Sequence, residues 1–173
     1  MRRLGSPLRY RLNPNPRTTI TTDASPYGLG GVLEQDDTVV SFFASPITDL
    51  DRSVLSLGAT PSSSDQQALE ALALLVALRE WSPMWQDQRV TLSVRSDNIV
   101  TLTMLCRMQP HSVQLGIIAR ELALGISTSS GSPDSAVHIP GGANTAPDAL
   151  SRLWQPGKHA VIPQYLDPKV RLE

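Results

Sequence analysis

Glu70 is the side chain that most needs a chemical explanation. Between Asp65 and Arg79 it is the only charged residue in a run dominated by alanine and leucine. In a helix its neighbours three, four and seven positions further on share its face, and all are apolar: Ala73, Leu74 and Ala77. An unpaired buried carboxylate costs several kcal/mol or takes up a proton, and a bound divalent metal would neutralise it. A position at the rim of the face, or an ion pair with an arginine, explains it equally well.

Three aspartates occupy places where a strand, a turn and a helix meet. Asp23 follows a run of threonine and isoleucine, Asp97 follows an alternating run, and Asp148 falls in the first turn of a predicted helix. Each alone has an ordinary explanation, as a turn residue, a helix cap or a charge at the positive end of a helix dipole. If the elements form one sheet, however, the three aspartates and Glu70 can converge at one edge of it.

The elements that must position these acids follow from periodicity and turn residues. Strands are predicted from β-branched or alternating runs at residues 18–23, 28–34, 38–44, 89–95 and 136–139. Helices are predicted from apolar periodicity and breakers at residues 63–81, 99–108, 112–126 and 144–152. This order predicts an α/β fold with a mixed five-stranded sheet, in which an antiparallel meander of three strands and two later strands are flanked by helices.

Two stretches between the elements are predicted to be loops. Residues 45–64 contain two prolines and a serine triplet and should form a long surface loop, with one helical turn near 49–55. Ser63 or Ser64 should cap the helix that follows. Residues 127–135 are rich in serine, glycine and proline and are predicted to form a flexible loop.

Length and composition favour one domain with tails. The chain has 173 residues, 40% of them hydrophobic, which is enough to bury a core. We expect an N-terminal linker at residues 1–17, a domain at 18–153 and a proline-containing tail at 154–173. With 15 basic and 16 acidic side chains the formal net charge is −1, so a strongly basic surface for nucleic acid is not evident and this chain alone should bind a nucleic acid weakly.

The single cysteine and the tryptophans are expected to serve the core. Cys106 cannot form an internal disulfide, which favours a reducing compartment, and it is predicted to be buried. Trp81, Trp85 and Trp154 lie at or near the ends of helical runs and are predicted to pack in the core or at its rim. No apolar run approaches the roughly 20 residues of a membrane span, so no membrane association is expected.

Four ordered motifs resemble those of the type-1 ribonuclease H domains of retroelement reverse transcriptases, chiefly of the long-terminal-repeat class. The resemblance covers about residues 18–152, and the closing motif is the most distinctive. The motifs are TDAS at 22–25 with GLGGVL at 28–33, EALALLVAL at 70–78, VRSDN at 94–98, and IPGGANTAPDALSR at 139–152.

The resemblance implies a metal-dependent endoribonuclease that cuts the RNA strand of RNA–DNA hybrids. Asp23, Glu70, Asp97 and Asp148 would be the catalytic carboxylates and would bind two Mg²⁺ ions, for which Mn²⁺ can substitute, with Asp23 as the bridging ligand. One ion would activate the attacking water and the other would stabilise the leaving 3′ oxygen, giving a 5′-phosphate and a 3′-hydroxyl.

The resemblance also implies a substrate surface and a partner. Ser25, Gly28 and Asn98 are the candidate contacts to the hybrid, whose ribose 2′-hydroxyls would identify the RNA strand. A polymerase domain upstream in a retroelement polyprotein would be the partner, and the habit of retroelements places the protein inside the cell, in cytoplasm or nucleus.

The chain departs from the family pattern in two places. Cellular and retroviral members carry a histidine in the loop before the last aspartate, whereas residues 141–144 contain none, which predicts slower product release. His138 lies nearby but falls in the predicted strand, so a strand histidine facing solvent or a satisfied pocket is the favoured interpretation. Asn144 or Thr145 should cap the last helix with Pro147 at its first helical position, where proline is tolerated but could displace the last carboxylate.

Two other functions remain open from the sequence. Another metal nuclease of the same fold, such as an integrase or an exonuclease, would also gather acids at this sheet edge, although the ending from Asp148 to Arg152 argues against it. A decayed or scaffold domain would keep the fold without activity, and the presence of all four acids argues against full decay.

Overall fold

A five-stranded mixed sheet forms the centre of the protein. The computed structural model describes residues 17–85, 89–157, 159, 161–166 and 171. The strands are β1 Thr18–Ala24, β2 Gly28–Gln35, β3 Thr38–Pro46, β4 Val90–Ser96 and β5 Gly131–His138. They lie in the order β3-β2-β1-β4-β5, with β1–β2 and β2–β3 antiparallel and with β4 parallel to both β1 and β5. The predicted fold class, a meander of three strands plus two later strands, is confirmed.

Five α-helices surround this sheet. They are α1 Asp49–Val54, α2 Ser63–Trp81, α3 Ile99–Arg107, α4 Val113–Thr128 and α5 Thr145–Ser151, with short 3₁₀ turns at Ser82–Trp85 and Gly141–Ala143. Among the residues described, no helix is both long and apolar enough to cross a membrane.

The hairpin between β2 and β3 turns on two aspartates. Asp36 and Asp37 have φ values of 48° and 62°. Two consecutive residues with positive φ are what a two-residue hairpin loop needs if its twist is to match the strands, and aspartate tolerates this conformation. This turn fixes the register of the meander that carries β1 into the centre of the sheet.

Helix α2 is buried on two sides, which explains why its sequence is apolar all round. One side packs on the sheet through residues that share a core cluster with Ile20 and Leu33, namely Leu69, Ala73, Ala77 and Trp81. The other side packs on α4 through Ala68, Ala71 and Leu75. A charged side chain in the middle of α2 is therefore buried, unless it reaches solvent at the end of the sheet.

Helix α5 covers the opposite face of the sheet and approaches it closely. Val32 and Phe42 point to this face and contact Leu150, whereas their neighbours Leu33 and Phe43 face α2. A Cβ on Gly30 would overlap the carbonyl oxygen of Pro147. Glycine at this position therefore lets the backbone of α5 lie directly against β2.

The last strand is longer than predicted, and the prediction of a flexible loop at 127–135 was wrong except at 129–130, because α4 continues to Thr128 and β5 begins at Gly131. β5 begins at Gly131 and pairs along its length with β4. The register shifts where Leu92 pairs with Pro133 and Ser93 with Ser135, which leaves Asp134 as an extra residue. β5 is an edge strand, where a proline and a bulge are tolerated.

Two local predictions are corrected by the structure. Ser62, not Ser63 or Ser64, caps α2 and forms a capping box with Asp65. Cys106 is exposed because α3 packs on the core through the neighbouring Leu102 and Leu105.

The predicted helical turn and the predicted positions of the tryptophans agree with the structure. The helical turn near 49–55 is present as α1. Trp81 and Trp85 are buried, while Trp154 lies at the rim. Trp81 donates from its indole nitrogen to the Ser41 hydroxyl at 3.0 Å, so its polar group is satisfied within the core.

Part of the C-terminal tail packs on the α5 face of the sheet. Leu166 is 2% exposed and lies in one cluster with Val32, Phe42 and Leu150, with Ile162 beside it. The predicted domain limits at 18 and 153 stay predictions, and residues 1–16 lie outside the described part of the chain. Leu166 nevertheless contributes to the same core as the sheet.

We predict that Leu166→Ala lowers the free energy of unfolding by about 2–3 kcal/mol, because truncating a fully buried leucine removes apolar contacts and leaves a cavity. Urea denaturation of the full chain measures this. Val161→Ala is the control, since Val161 is 67% exposed and should change stability by less than about 0.5 kcal/mol. Equal effects of the two substitutions would show that the tail does not support the core.

Candidate metal centre

Three carboxylates meet where β1 and β4 end. One side-chain oxygen each from Asp23, Glu70 and Asp97 lies within 4.8 Å of the others. Asp23 is the penultimate residue of β1, and Asp97 follows β4 directly. Because β1 and β4 are parallel neighbours, their C-terminal ends share one edge of the sheet. Glu70 reaches this edge from the middle of α2, where the sequence predicted it would need a partner.

Glu70 is buried with half of its carboxylate unsatisfied. The residue is 5% exposed. Its Oε1 accepts a hydrogen bond from Gln66 Nε2 at 3.0 Å, and the same amide donates to the carbonyl of Ala24 at 2.7 Å. Its Oε2 is buried and has no hydrogen-bond partner. An orphaned acceptor beside two further carboxylates is the environment that a cation would complete.

The crowding of these acids shifts their ionisation. Burial, together with the negative charges of Asp23 and Asp97, raises the pKa of Glu70 to about 9 despite the hydrogen bond from Gln66. Burial, opposed by the hydrogen bond from Ser151 and supported by the charges of Asp148 and Asp97, raises the pKa of Asp23 to about 6. Without a cation, at least one proton therefore stays in the group at neutral pH.

Asp23 is held on its other side by neutral donors. The Ser151 hydroxyl donates to Asp23 Oδ2 at 2.6 Å. The Asn144 amide donates to Asp23 Oδ1 at 3.2 Å and to the carbonyl of Thr22 at 3.1 Å. Both donors come from α5 or its cap, so the helix on the α5 face of the sheet orients the carboxylate at the sheet edge.

Asp148, the fourth predicted carboxylate, lies beside the group of three but is not part of it. Arg152, the residue directly after α5, donates from Nε to Asp148 Oδ1 at 2.6 Å across one helical turn. The negative charge of Asp148 nevertheless raises the pKa of Asp23. Pro147 is the third residue of α5, not the first, and it precedes Asp148 without interrupting the helix. The predicted metal-binding roles of all four acids stay predictions.

The three predicted substrate contacts have local structural partners. The Ser25 hydroxyl donates to the carbonyl of Ser151 at 2.7 Å and accepts from the main-chain N–H of Gly28. A Cβ on Gly28 would lie 2.7 Å from the Trp154 ring, so this position also has no room for a side chain. Asn98 caps α3 by accepting from the N–H groups of Val100 and Thr101. Their contacts to nucleic acid stay predictions.

His138 ends β5 next to the third aspartate. Its Nε2 lies 3.0 Å from the main-chain oxygen of Asp97, and the side chain is otherwise exposed. After β5 the main chain passes close to the Asp97 side chain. A Cβ on Gly141 would lie only 3.1 Å from Asp97 Oδ2. His138 is thus in the strand, as predicted.

Sequence reasoning missed several residues that shape this centre. Gln66 and Ser151 were given no role at this centre, and Asn144 was predicted, with Thr145 as the alternative, only as a helix cap; it occupies that position, but its side chain makes no capping bond. Spacing could have indicated Gln66 and Arg152, which each lie four residues from the acid that they contact. Ser151 and Asn144 contact a strand more than a hundred residues away, and no local pattern reveals that.

The sequence matches one protein family over most of its length. Residues 13–122 match the family described as the RNase H-like domain found in reverse transcriptase. Asp23, Glu70 and Asp97 fall within the matched residues, and Asp148 lies beyond them. A comparison with curated protein sequences gives no significant match.

Solved structures of ribonucleases H share the fold. RNase H1 of the archaeon Halobacterium salinarum is 18% identical, with a TM-score of 0.60 over 79% of this chain and 96% of that one. LC11-RNase H1 in complex with an RNA/DNA hybrid is 19% identical, with a TM-score of 0.59 over 78% and 93%. The N-terminal RNase H domain of a Mycobacterium tuberculosis protein is 16% identical, with a TM-score of 0.57 over 79% and 91%.

We predict that the metal-free protein loses stability as the pH rises between about 4.5 and 9. The folded protein keeps a proton on Glu70 up to a pKa of about 9, whereas the unfolded chain releases it near 4.5. The stabilisation is therefore complete below pH 4.5 and is lost as the pH rises through 9, with a slope of up to about 1.4 kcal/mol per pH unit. Urea unfolding in EDTA at a series of pH values measures this.

Glu70→Gln should flatten that profile, because the amide does not titrate. At pH 9 the variant should be more stable than the wild type in EDTA. Glu80→Gln, an exposed position on the same helix, is the matched control and should leave the profile unchanged. Parallel profiles for the wild type and Glu70→Gln would refute the raised pKa of Glu70.

Proposed function

Because the chain belongs to the family of RNase H-like domains found in reverse transcriptases, we propose that it is an endoribonuclease that hydrolyses the RNA strand of RNA–DNA hybrids with two divalent metal ions. The observation that carries the proposal is the meeting of Asp23, Glu70 and Asp97 within 4.8 Å, with one buried Glu70 oxygen unpartnered. A buried acid cluster of this kind is costly in a protein that has no use for a cation.

The donor set fits Mg²⁺. The three side chains offer only carboxylate oxygens, which are hard ligands, and the group includes neither a thiolate nor an imidazole that would favour a softer ion. Asp23, Glu70 and Asp97 would hold the ions, with Asp148 as the fourth ligand at the more exposed side of the centre. When bound, the ions supply an activated water and neutralise charge on the leaving 3′ oxygen, so the reaction would need no nucleophile from the protein.

The residues of this chain would then position and shield the reacting phosphate. Asp23 is buried and tied to α5, so its carboxylate has a fixed direction. Gln66 donates to one Glu70 oxygen, and the other is buried without a hydrogen-bond partner. Asp148 is part-exposed, and Arg152 engages its Oδ1, so Oδ2 is the oxygen that would bind an ion without loss of this pair.

A hybrid would bind at the end of the sheet where the acids meet. LC11-RNase H1, which shares this fold, is known in complex with an RNA/DNA hybrid. Ser25 and Asn98 closely follow Asp23 and Asp97, Gly28 begins β2, and these three are the proposed contacts to it. Ser25 and Gly28 are buried, so Asn98 is the most accessible of the three. With a net charge of −1 the chain has little general attraction for phosphates, so an upstream polymerase domain would supply much of the affinity.

The setting proposed for this activity is a retroelement reverse transcriptase inside the cell, in cytoplasm or nucleus. The catalytic domain would extend over residues 18–153, with a linker before it and the tail after it.

A second candidate is a ribonuclease H fold that has lost activity. The pairing of Asp148 with Arg152, together with a closing loop that lacks a histidine, favours it. Such a domain would hold the polymerase in place without cutting. The cleavage experiment below separates the two.

We predict that the purified chain cuts the RNA strand of a labelled RNA–DNA hybrid with Mg²⁺ or Mn²⁺ and not with EDTA. It should leave matched RNA–RNA and DNA–DNA duplexes intact. Asp97→Asn should reduce cleavage by at least about a hundredfold, because several kcal/mol of metal-mediated charge stabilisation are lost. In EDTA the same variant should melt at a higher temperature than the wild type, since repulsion between the acids is relieved.

Asp134→Asn is the matched control, because Asp134 is exposed on β5 and should not affect cleavage. Equal activity of Asp97→Asn and the wild type would refute the site. A wild-type chain that fails to cut at high concentration with Mn²⁺, and also when the upstream polymerase is added, would favour the inactive scaffold.

A further inference from the structure

Ser151 makes contacts in two directions from the end of α5. Its hydroxyl donates to Asp23 Oδ2 at 2.6 Å, and its main-chain carbonyl accepts from the Ser25 hydroxyl at 2.7 Å. Ser25 in turn accepts from the N–H groups of Tyr27 and Gly28. The residue is fully buried, so no water competes for either contact. Ser151 therefore joins the Asp23 carboxylate to the turn between β1 and β2.

The hydroxyl of Ser151 has one proton and two acceptors within reach. Asp23 Oδ2 lies 2.6 Å away, and the carbonyl of Asp148 lies 3.0 Å away. A bond to an ionised carboxylate is shorter and roughly twice as strong as one to a neutral carbonyl. Whenever Asp23 is ionised, the Ser151 hydroxyl therefore donates its hydrogen bond to Asp23 rather than to the carbonyl of Asp148.

Asn144 holds the second oxygen of the same carboxylate. Its amide nitrogen lies between Asp23 Oδ1 and the carbonyl of Thr22, and both of these can only accept while Asp23 is ionised. Turning the amide round would put its oxygen against two acceptors, so its orientation is fixed. The Asn144 side chain is also buried: its amide nitrogen donates to Asp23 and to the carbonyl of Thr22, while its Oδ1, the atom that could cap α5, has no hydrogen-bond partner.

The two donors together hold both oxygens of the carboxylate. Each Asp23 oxygen accepts one hydrogen bond from α5 or its cap and keeps a further lone pair, and one of these oxygens lies within 4.8 Å of carboxylate oxygens of Glu70 and Asp97. A freely rotating aspartate would have to be ordered when a cation binds, and this one is ordered beforehand.

We propose that Ser151 and Asn144 are positioning residues that fix the Asp23 carboxylate for a divalent cation. The inference rests on the proposed function in so far as that function gives the cation its use. It goes further in naming two neutral side chains, contributed by a helix on the other face of the sheet, on which the affinity for the ion depends. Ser151 also links this carboxylate to the turn that carries Ser25 and Gly28.

Binding of Mn²⁺ without any nucleic acid tests this proposal. Free Mn²⁺ is measured by electron paramagnetic resonance during titration of the full chain, well below its melting temperature. Ser151→Ala should raise the dissociation constant by roughly 10–100-fold, the usual effect of removing a hydrogen-bond partner of a metal ligand, and Asn144→Ala should act in the same direction. In the cleavage assay, Ser151→Ala should raise the Mg²⁺ concentration for half-maximal rate and recover activity at saturating Mg²⁺.

Ser41→Ala is the matched control, because it also removes a buried serine hydroxyl with a side-chain partner, the indole of Trp81. It should lower the melting temperature in EDTA without changing Mn²⁺ affinity. Wild-type affinity in Ser151→Ala, or an equal loss in Ser41→Ala, would overturn the proposal. Since the readout is binding of the ion, a loss in Ser151→Ala supports the positioning role even if the wild type leaves a hybrid uncut, and that second result would count against the proposed function alone.

Discussion

Repulsion between carboxylates at the end of β1 and β4 is the constraint to which the rest of the structure responds. Asp23 and Glu70 are almost fully buried, and Asp97 brings a third carboxylate within 4.8 Å. Burial and mutual charge raise the pKa values of Asp23 and Glu70, so the metal-free centre holds protons that a cation would displace. A fold under selection for stability alone would place apolar side chains here.

The fold meets this constraint by bringing acids from separate elements to one edge. Parallel pairing of β1 with β4 aligns Asp23 and Asp97. Helix α2 is enclosed between the sheet and α4, and this packing carries Glu70 into the interior. On the other face, Gly30 lets α5 lie against β2, which brings Ser151 and Asn144 to Asp23. Core packing and the polar centre are therefore parts of one arrangement.

Much of this could be predicted from the sequence, and the failures have physical causes. The isolation of Glu70 in an apolar helix showed that it needed a partner, while leaving burial beside a metal and a position at the rim equally open, and the alternating runs predicted the order of strands and helices. The first half of β5 was missed because serine, proline and aspartate have little strand propensity, and its conformation depends on backbone pairing with β4. Cys106 was misplaced because the face that α3 buries depends on its neighbours. The partnership of Ser151 with Asp23 spans 128 residues and has no local signature.

The most direct test of a metal centre at this edge is anomalous diffraction from crystals of the wild-type chain soaked in Mn²⁺. We expect a manganese peak in contact with carboxylate oxygens of Asp23, Glu70 and Asp97, with Asp23 still bonded to Ser151 and Asn144. Crystals that at saturating metal hold Mn²⁺ only elsewhere, with no anomalous peak between these three carboxylates, would contradict a metal centre at this edge.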